Sequence, residues 1–467
     1  TNDLEVKPQI LSSLLISPEL LPEAVTLIFC GPTRSPSWFF AHKPYTHPLQ
    51  RVLELRLLTK ISVVNFKGIK KVQLTLSPLT VLVGENGTGK STVLQALSIL
   101  KRSAGSTRII TDVPYVNLGP LNLLVSPAQT SMIAFEGQDL SPEVSGISKT
   151  TSFGCLVGFD AQGLSEYKTT LIVDSYMIRN DWNKYGVSRI QPDMWRHENV
   201  TMNFTPTTVI GKGFEARGYS VAGPTADDDR RLAEDLHQRF VNLSSVIGSV
   251  LQRFFVVGPM RGLTEPVFSL QSEPTEDHVP RGGIVQLGDS LATRLEYNRQ
   301  NIEAISEWQA EIVGVHLKTV LIPGTRVLLK NPDTGADFVN EGFGSNQMLF
   351  ILERIANSPI DSVIGVEEPE IHLHPKAQFN FGKWVSRTVP KLKKQLIILT
   401  HSPDVVSGIL SGVRHKHIEP QNISIWFFER KDREITANKS EINTEGKVTG
   451  PALKSFLEST ATQLSEY

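Results

Sequence analysis

Two short stretches of the chain hold residue types dense enough to do chemistry. "GENGTGKS", residues 84–91, is G-x-x-x-x-G-K-[ST] with Gly84, Gly89, Lys90 and Ser91 in the fixed positions. Glycines at that spacing let backbone N–H groups turn toward a polyphosphate, and the positive end of a following helix favours its charge. Lys90 then reaches the β and γ oxygens and Ser91 ligates Mg2+, while Glu85, Asn86, Gly87, Thr88 and Thr92 complete the phosphate-facing loop and first helical turn. "GVEEPEIHLHP", residues 365–375, packs three glutamates and two histidines into eleven positions. Alone, it fits either hydrolysis at a protein-bound transition metal or nucleotide hydrolysis at a magnesium ion held mostly by phosphate.

Either chemistry needs elements that aim these residues. "ISVVNFKGIKKVQLTLSPLTVLVGENGTGK" reads as a strand, a turn at Gly68, a second strand, a third strand ending at Val83, a glycine-rich loop and a helix opening at Lys90. The apolar run Val363–Val366 is a buried strand that ends in Glu367-Glu368. Parallel sheets place ligands outside the carboxyl ends of their strands, so Glu367 is the candidate Mg2+-side acid, acting through water, and Glu368 the candidate general base. "LIILTHS" is another strand, ending in Thr400-His401. If it neighbours the acid-bearing strand, His401 hydrogen-bonds the γ-phosphate or the attacking water, as neutral imidazole or as imidazolium. His372 and His374 have no third ligand at a recognisable zinc spacing, and the phosphate loop moves the weight to the glutamates.

Around these motifs the last third alternates helix and buried strand, which implies a parallel sheet with crossover helices. Residues 131–222 hold short β-rich runs, "SMIAFEGQ", "TSFGCLVGF", "YKTTLIVDSYMI" and "NVTMNFT", that suggest an antiparallel subdomain. Leu232, Leu236, Phe240, Leu243, Ile247, Val250 and Phe254 recur at helical spacing, and a second helix is expected from about Ser290 to Leu317. Neither stretch sustains heptads long enough for a coiled-coil arm.

At 467 residues the chain exceeds the size at which one core stops growing, so two or three lobes are expected. Hydrophobic and charged fractions of 40% and 20% exclude wholesale disorder, and a formal charge of −1 gives no general drive toward nucleic acid. Cys30 and Cys155 stand far apart, which supports neither a disulfide framework nor a zinc knuckle and makes a reducing cytoplasm the simplest compartment. The apolar segment 11–30 carries Pro18, Glu19, Pro22 and Glu23 at its centre, so no transmembrane helix and no membrane association are expected.

The order "NFKGI", "GENGTGKST", "NEGFGSNQ", "VEEPEIHLHP", "THS" over residues 60–430 resembles an ABC-type ATPase head of the SMC/RecF/OLD branch. The likeness is strongest to compact prokaryotic AAA-family ATPases bearing E-E-P-E-x-H-L-H-P. Echoes of the same families stand in "VPYVNLGPLNLLV" and "FFVVGPMRG". The resemblance implies an α/β P-loop NTPase fold with a mixed, largely parallel sheet, an antiparallel β subdomain and a helical insertion. It implies ATP and Mg2+ as cofactors. It makes "GFGSNQ" the signature loop, which in the family reaches across a head-to-head dimer to the partner's γ-phosphate, through Gly344, Ser345 and Gln347 here. Lys67 takes the place of an arginine that relatives carry in N-F-R, Arg261 is a further candidate, and His372 and His374 fall in the D-loop region that passes contacts between heads.

The resemblance divides the chain into a Pro-rich extension (1–58, flexible or partner-docking), a first part of the head with the P-loop (59–110), a β subdomain with helical insertion (111–255), a second part of the head (256–430) and a short C-terminal tail (431–467). Family members serve DNA repair, chromosome organisation or phage defence, often with a nuclease, and OLD-type members carry a C-terminal Toprim nuclease. Residues after 430 hold no such domain, so the expectation is a homodimer or higher oligomer formed through ATP that acts on a separate nuclease effector. RecF-like DNA binding through Lys60–Lys71 and Lys391–Lys394 is the alternative.

Overall fold

The computed structural model describes residues 56–103, 109–113, 116–125, 129–139, 151–173, 176–182, 187–189, 208–210, 247–272, 285–432, 434–450 and 453–458. In chain order these form strands β1 (Arg56–Phe66), β2 (Ile69–Thr75) and β3 (Leu79–Val83), helix α1 (Lys90–Ser103), then β4 (Asp112–Val113), β5 (Val116–Asn117), β6 (Ser131–Asp139), β7 (Thr151–Asp160), β8 (Gly163–Val173), β9 (Tyr176–Trp182), β10 (Val187–Arg189) and β11 (Thr208–Ile210). After them come β12 (Phe254–Val257), β13 (Val267–Ser269), α2 (Val285–Tyr297), α3 (Ile302–Val313), β14 (Lys318–Ile322), β15 (Arg326–Lys330) and α4 (Phe343–Asn357). The chain continues through β16 (Val363–Glu367), α5 (Pro375–Leu392), β17 (Gln395–Thr400), α6 (Pro403–Arg414), β18 (Ile423–Lys431), β19 (Glu434–Ile442) and β20 (Val448–Thr449).

A seven-stranded sheet runs β12-β16-β17-β3-β18-β19-β20. From β12 through β18 every pairing is parallel, and β18–β19 and β19–β20 are antiparallel. The period of two decides which face each side chain takes. Leu79, Val81 and Val83 of β3, with Leu396 and Ile398 of β17, enter the core beneath α4, α5 and α6. Leu82, Ile397 and Leu399 enter the opposite core, with Val93, Leu94 and Leu97 of α1. Fully buried, continuous apolar strands are what a sheet covered on both faces requires.

A second sheet, eight strands in the order β11-β10-β9-β8-β7-β6-β1-β2, is antiparallel throughout. The hairpin that precedes the P-loop therefore shares this sheet with strands β6–β11. Buried Gln395 at the start of β17 joins the two sheets: its Oε1 accepts from the Leu58 amide at 3.0 Å, and its Nε2 donates to the oxygens of Leu58 at 2.8 Å and Ser77 at 3.0 Å.

Three expectations change. The helix over 290–317 is two helices, α2 and α3, separated by Asn298 and a 3-10 turn at Arg299–Asn301, and α3 ends at Gly314 in the left-handed region. "YKTTLIVDSYMI" spans parts of two strands, β8 and β9. The region after 430 is more than a tail, because β19 pairs with β18 and its Ile435 is buried in the α1 core. Residues 1–55, "NVTMNFT" and most of the helix expected over 225–255 lie outside the described residues; residues 247–252 of it are helical. Among the described residues no helix is long and apolar enough to cross a membrane.

Candidate active site

Strands β3, β17 and β16 end side by side, Thr400 opposite Val83 and Glu367 opposite Leu399. That register gathers the phosphate loop, Thr400-His401 and Glu367-Glu368 at one edge of the sheet, so the strand bearing His401 is the neighbour of the acid-bearing strand. Gly84 leaves β3 with φ 150°, and a Cβ there would stand 2.3 Å from the main-chain oxygen of Phe428, so the loop's first turn is pressed onto β18. Glu85, Asn86 and Gly87 are exposed at the loop's tip. Thr88 is buried, its Oγ1 donating to the Glu85 oxygen at 2.8 Å, and Thr92 donates its amide to the Gly89 oxygen at 3.1 Å. Lys90 and half-buried Ser91 open α1, whose first turn has no acidic residue to neutralise its positive end.

The Lys90 ammonium is buried and donates to the main-chain oxygens of Gly84 and Glu85, both at 2.7 Å. Burial lowers its pKa, while the charges of Glu368, Glu370, Glu367 and Glu85 oppose that shift. One ammonium thus lies within electrostatic reach of every acid of the Glu367-Glu368-Pro369-Glu370 run. Lys67 joins the group from the β1–β2 turn. Its Nζ donates to Gln95 Oε1 of α1 at 2.7 Å, and burial of part of the side chain lowers its pKa against the opposing charge of Glu367. Lys67 holds φ 53°, a conformation uncommon for a side chain of that size.

Glu367 is 3% exposed at the end of β16, and Glu368 turns out of the strand with φ 46°. Buried Arg261 fixes that turn: its Nη1 donates to the oxygens of Gly258 at 2.6 Å and Glu367 at 2.9 Å, its Nη2 to Glu368 at 3.0 Å, and its Nε to Gln347 at 3.3 Å. Burial pulls its pKa down to about 10, with Glu370, Glu368 and Glu367 opposing, so the guanidinium is charged at neutral pH. The candidate signature residues sit on the same knot. Ser345 and Gln347 are buried in the first turn of α4, and a Cβ on Gly344 would stand 2.6 Å from the His372 oxygen. In the single chain these residues pack against the segment after Glu368.

Glu370 is the residue of this cluster that residue types alone did not assign. It is buried, and its Oε1 accepts from Thr400 Oγ1 at 2.8 Å and the His401 amide at 2.7 Å, with His401 Nδ1 at 3.2 Å. Gln378 of α5 adds a second tie between the two segments, accepting from Ser402 Oγ at 2.6 Å and donating to the Leu373 oxygen at 2.8 Å. The signal was a third glutamate at a fixed distance from the pair, uninformative until β17 is placed beside β16.

The residues present fit a magnesium nucleotide. Gly84, Gly87 and Gly89 all have positive φ, the Cβ side of Gly87 is open, and Ser91 and Glu367 offer the oxygen donors a hard cation takes. The two histidines do other work. His372 packs its ring on Phe343, 5.4 Å between centroids, and His374 caps α5 by accepting the Lys376 amide at 3.3 Å. Among the described residues no three His, Cys, Asp or Glu side chains are gathered to hold a metal.

A family model described as AAA ATPase domain matches residues 57–144 and 283–406. The chain is 24% identical over 363 residues to an OLD nuclease of Thermus scotoductus (strain ATCC 700910 / SA-01), covering 74% of this chain and 59% of that protein. It is 38% identical over 69 residues to the DNA replication and repair protein RecF of Arthrobacter sp. (strain FB24), covering 15% of this chain and 17% of that protein. The chain therefore spans less than two thirds of the first relative and under a fifth of the second. Among solved structures, an SMC head bound to the C-winged helix domain of ScpA is 14% identical with a TM-score of 0.41, covering 83% of this chain and 98% of that one. The SMC head domain from Thermotoga maritima is 11% identical with a TM-score of 0.36, covering 82% and 99%.

Proposed function

We infer that the chain carries an ATPase head of the SMC/RecF/OLD branch, hydrolyses ATP with Mg2+ and works as a nucleotide-driven switch. Two copies pair head to head across the nucleotide, and the pairing acts on a separate partner, a nuclease effector of prokaryotic anti-phage defence. The observation that carries the ATPase reading is the register of β3, β17 and β16, which brings Lys90, Thr400-His401 and Glu367-Glu368 to one edge of the sheet.

Bound Mg2+ and ATP supply the phosphoryl group and the positive charge that offsets its developing negative charge. The chain's own residues do the rest. Main-chain N–H groups of the loop and the open end of α1 hold the phosphates, Lys90 moves its ammonium from loop carbonyls to the β and γ oxygens, and Ser91 and Glu367 take the cation. Glu368 accepts a proton from the attacking water, and His401 borders that water or the γ-phosphate. Gly344, Ser345 and Gln347 serve the nucleotide of a second copy. The nuclease partner rests on the likeness to a protein whose name is OLD nuclease.

A purified-protein assay decides the reading. Wild type is expected to release phosphate from ATP, Lys90→Ala to lose nucleotide binding, and Glu368→Gln to keep ATP, stop turnover and accumulate as a dimer on light scattering. Unchanged hydrolysis by Glu368→Gln removes it from the role of base. Co-purification from the native host with a nuclease assay tests the partner.

The RecF match favours a second reading, a DNA-binding repair ATPase. Its expected basic surface is depleted: Lys60 pairs with Glu136 at 3.2 Å, and Lys394 is buried on the oxygens of Ile355 and Ala356. DNA affinity that falls steeply with salt is the result that supports it.

A further inference from the structure

The parallel ladder between β16 and β17 stops one rung short of joining Glu368 to His401. Its last rung is the Glu368 amide on the Leu399 oxygen at 2.8 Å. Donors and acceptors alternate between parallel strands, so the next rung would set the His401 amide on the Glu368 oxygen. That oxygen is already taken twice, by Arg261 Nη2 at 3.0 Å and by the Ile371 amide at 3.3 Å. Glu368 leaves the strand at φ 46°, far from the extended backbone a ladder needs. The amide left over finds a side chain instead. It donates to Glu370 Oε1 at 2.7 Å, and the Thr400 hydroxyl donates to the same oxygen at 2.8 Å. Thr400 Oγ1 in turn accepts the amide of Ser402, the N-cap of α6, at 2.9 Å.

Resting on the ATPase reading above, we propose that Glu370 is a positioning residue whose carboxylate replaces the missing main-chain rung and fixes the backbone of His401 beside the turn that carries Glu368. A carbonyl in that place would continue the strand pairing and hold Glu368 in the sheet. A side-chain acceptor lets the acid turn out while the neighbouring strand stays bound to the same segment. The charge of a carboxylate strengthens both bonds, and Glu370 is 5% exposed, so water competes little for its oxygen. His401's side chain is 41% exposed, which leaves its main chain, more than packing, to set where the ring starts.

The test uses the full chain labelled with nitrogen-15 histidine, the His401 amide signal being assigned by its loss in His401→Gln. In wild type this amide is expected to exchange with solvent at least about a hundred-fold more slowly than in an unstructured chain, and at least about ten-fold faster in Glu370→Met than in wild type. Exchange at the unstructured rate in wild type overturns the proposal, and that measurement decides even if Glu370→Met fails to fold. In kinetics, Glu370→Met should lower kcat by about ten- to a hundred-fold with KM for ATP changed less than about three-fold. Glu370→Gln keeps an oxygen acceptor and should hold kcat within about five-fold of wild type. In a His401→Gln background, Glu370→Met should cost less than about three-fold more. Wild-type kcat in Glu370→Met, equal losses in the Gln and Met variants, or losses that multiply in the double variant each sink it. If wild type releases no phosphate from ATP, the ATPase reading falls and amide exchange alone decides the rung.

Discussion

Arg261 donates from Nη2 to the main-chain oxygen of Glu368 at 3.0 Å, and so an arginine more than a hundred residues upstream sets the peptide on which the candidate base stands. Glu368 holds φ 46°, which costs energy for a residue with a long side chain and persists only where surroundings over-determine it. The same guanidinium holds Glu367, Gly258 and Gln347 by their oxygens. Arg261→Lys keeps the charge and loses the fork. Turnover is expected to fall at least about ten-fold, with a loss of stability of roughly 2–5 kcal/mol as charge-assisted bonds to buried carbonyls go. Phosphate-release kinetics and urea unfolding read the two effects; wild-type turnover refutes the role.

Arg294 and Glu353 form an ion pair between α2 and α4, with Nε 2.9 Å from both carboxylate oxygens and side chains 7% and 0% exposed. Removing one partner leaves the other's buried charge without its opposite. Glu353→Ala should destabilise by roughly 3–5 kcal/mol, and Arg294→Met with Glu353→Leu by much less than either single change. Urea midpoints measure this, and additive losses contradict it.

Lys394 has its pKa lowered by burial to about 8, with the charge of Glu353 opposing. Between about 8 and the model-peptide value of 10.5 the unfolded chain binds more protons than the folded one, so this group's contribution to stability rises with pH across that window and is flat below it. Wild type should therefore gain on Lys394→Met between pH 7 and pH 10, by at most about 3 kcal/mol. A loss over the same range reverses the sign and the assignment.

Lys67 occupies a left-handed turn position where glycine is relaxed. Lys67→Gly should leave thermal stability unchanged or raise it by up to about 1 kcal/mol, while weakening ATP binding several-fold. Nucleotide titration and thermal melts on the same samples check the split. Equal ATP affinity removes Lys67 from the site.

What could be read in the sequence follows from what kind of contact each residue makes. Gly84, Lys90, Ser91 and the Glu367-Glu368 pair stand out because loop, helix start and strand end are all local in the chain. Glu370 and Arg261 act through partners about 30 and 106–107 residues away, and Arg261's partners are main-chain oxygens that no residue type advertises. The break between α2 and α3 was hidden because Leu295 and Ile302, both on the inner side, keep a seven-residue spacing across it. β19 escaped notice because "EITANKSEI" buries only Ile435 and Ser440, amid charged and polar residues, so no apolar run marks it as a strand.

The amide of Gln395 and the ring of His401 lie at opposite ends of β17, a six-residue strand. At about 3.3 Å per residue it is a strut roughly 20 Å long. One end is riveted into the antiparallel sheet through Leu58, and the other carries Thr400 and leads into His401. Both flanks are clamped by parallel neighbours. Clamped on both flanks and pinned at its start, the strand ties the position of Leu58 in the antiparallel sheet to the position of Thr400 and His401 at the edge of the parallel one.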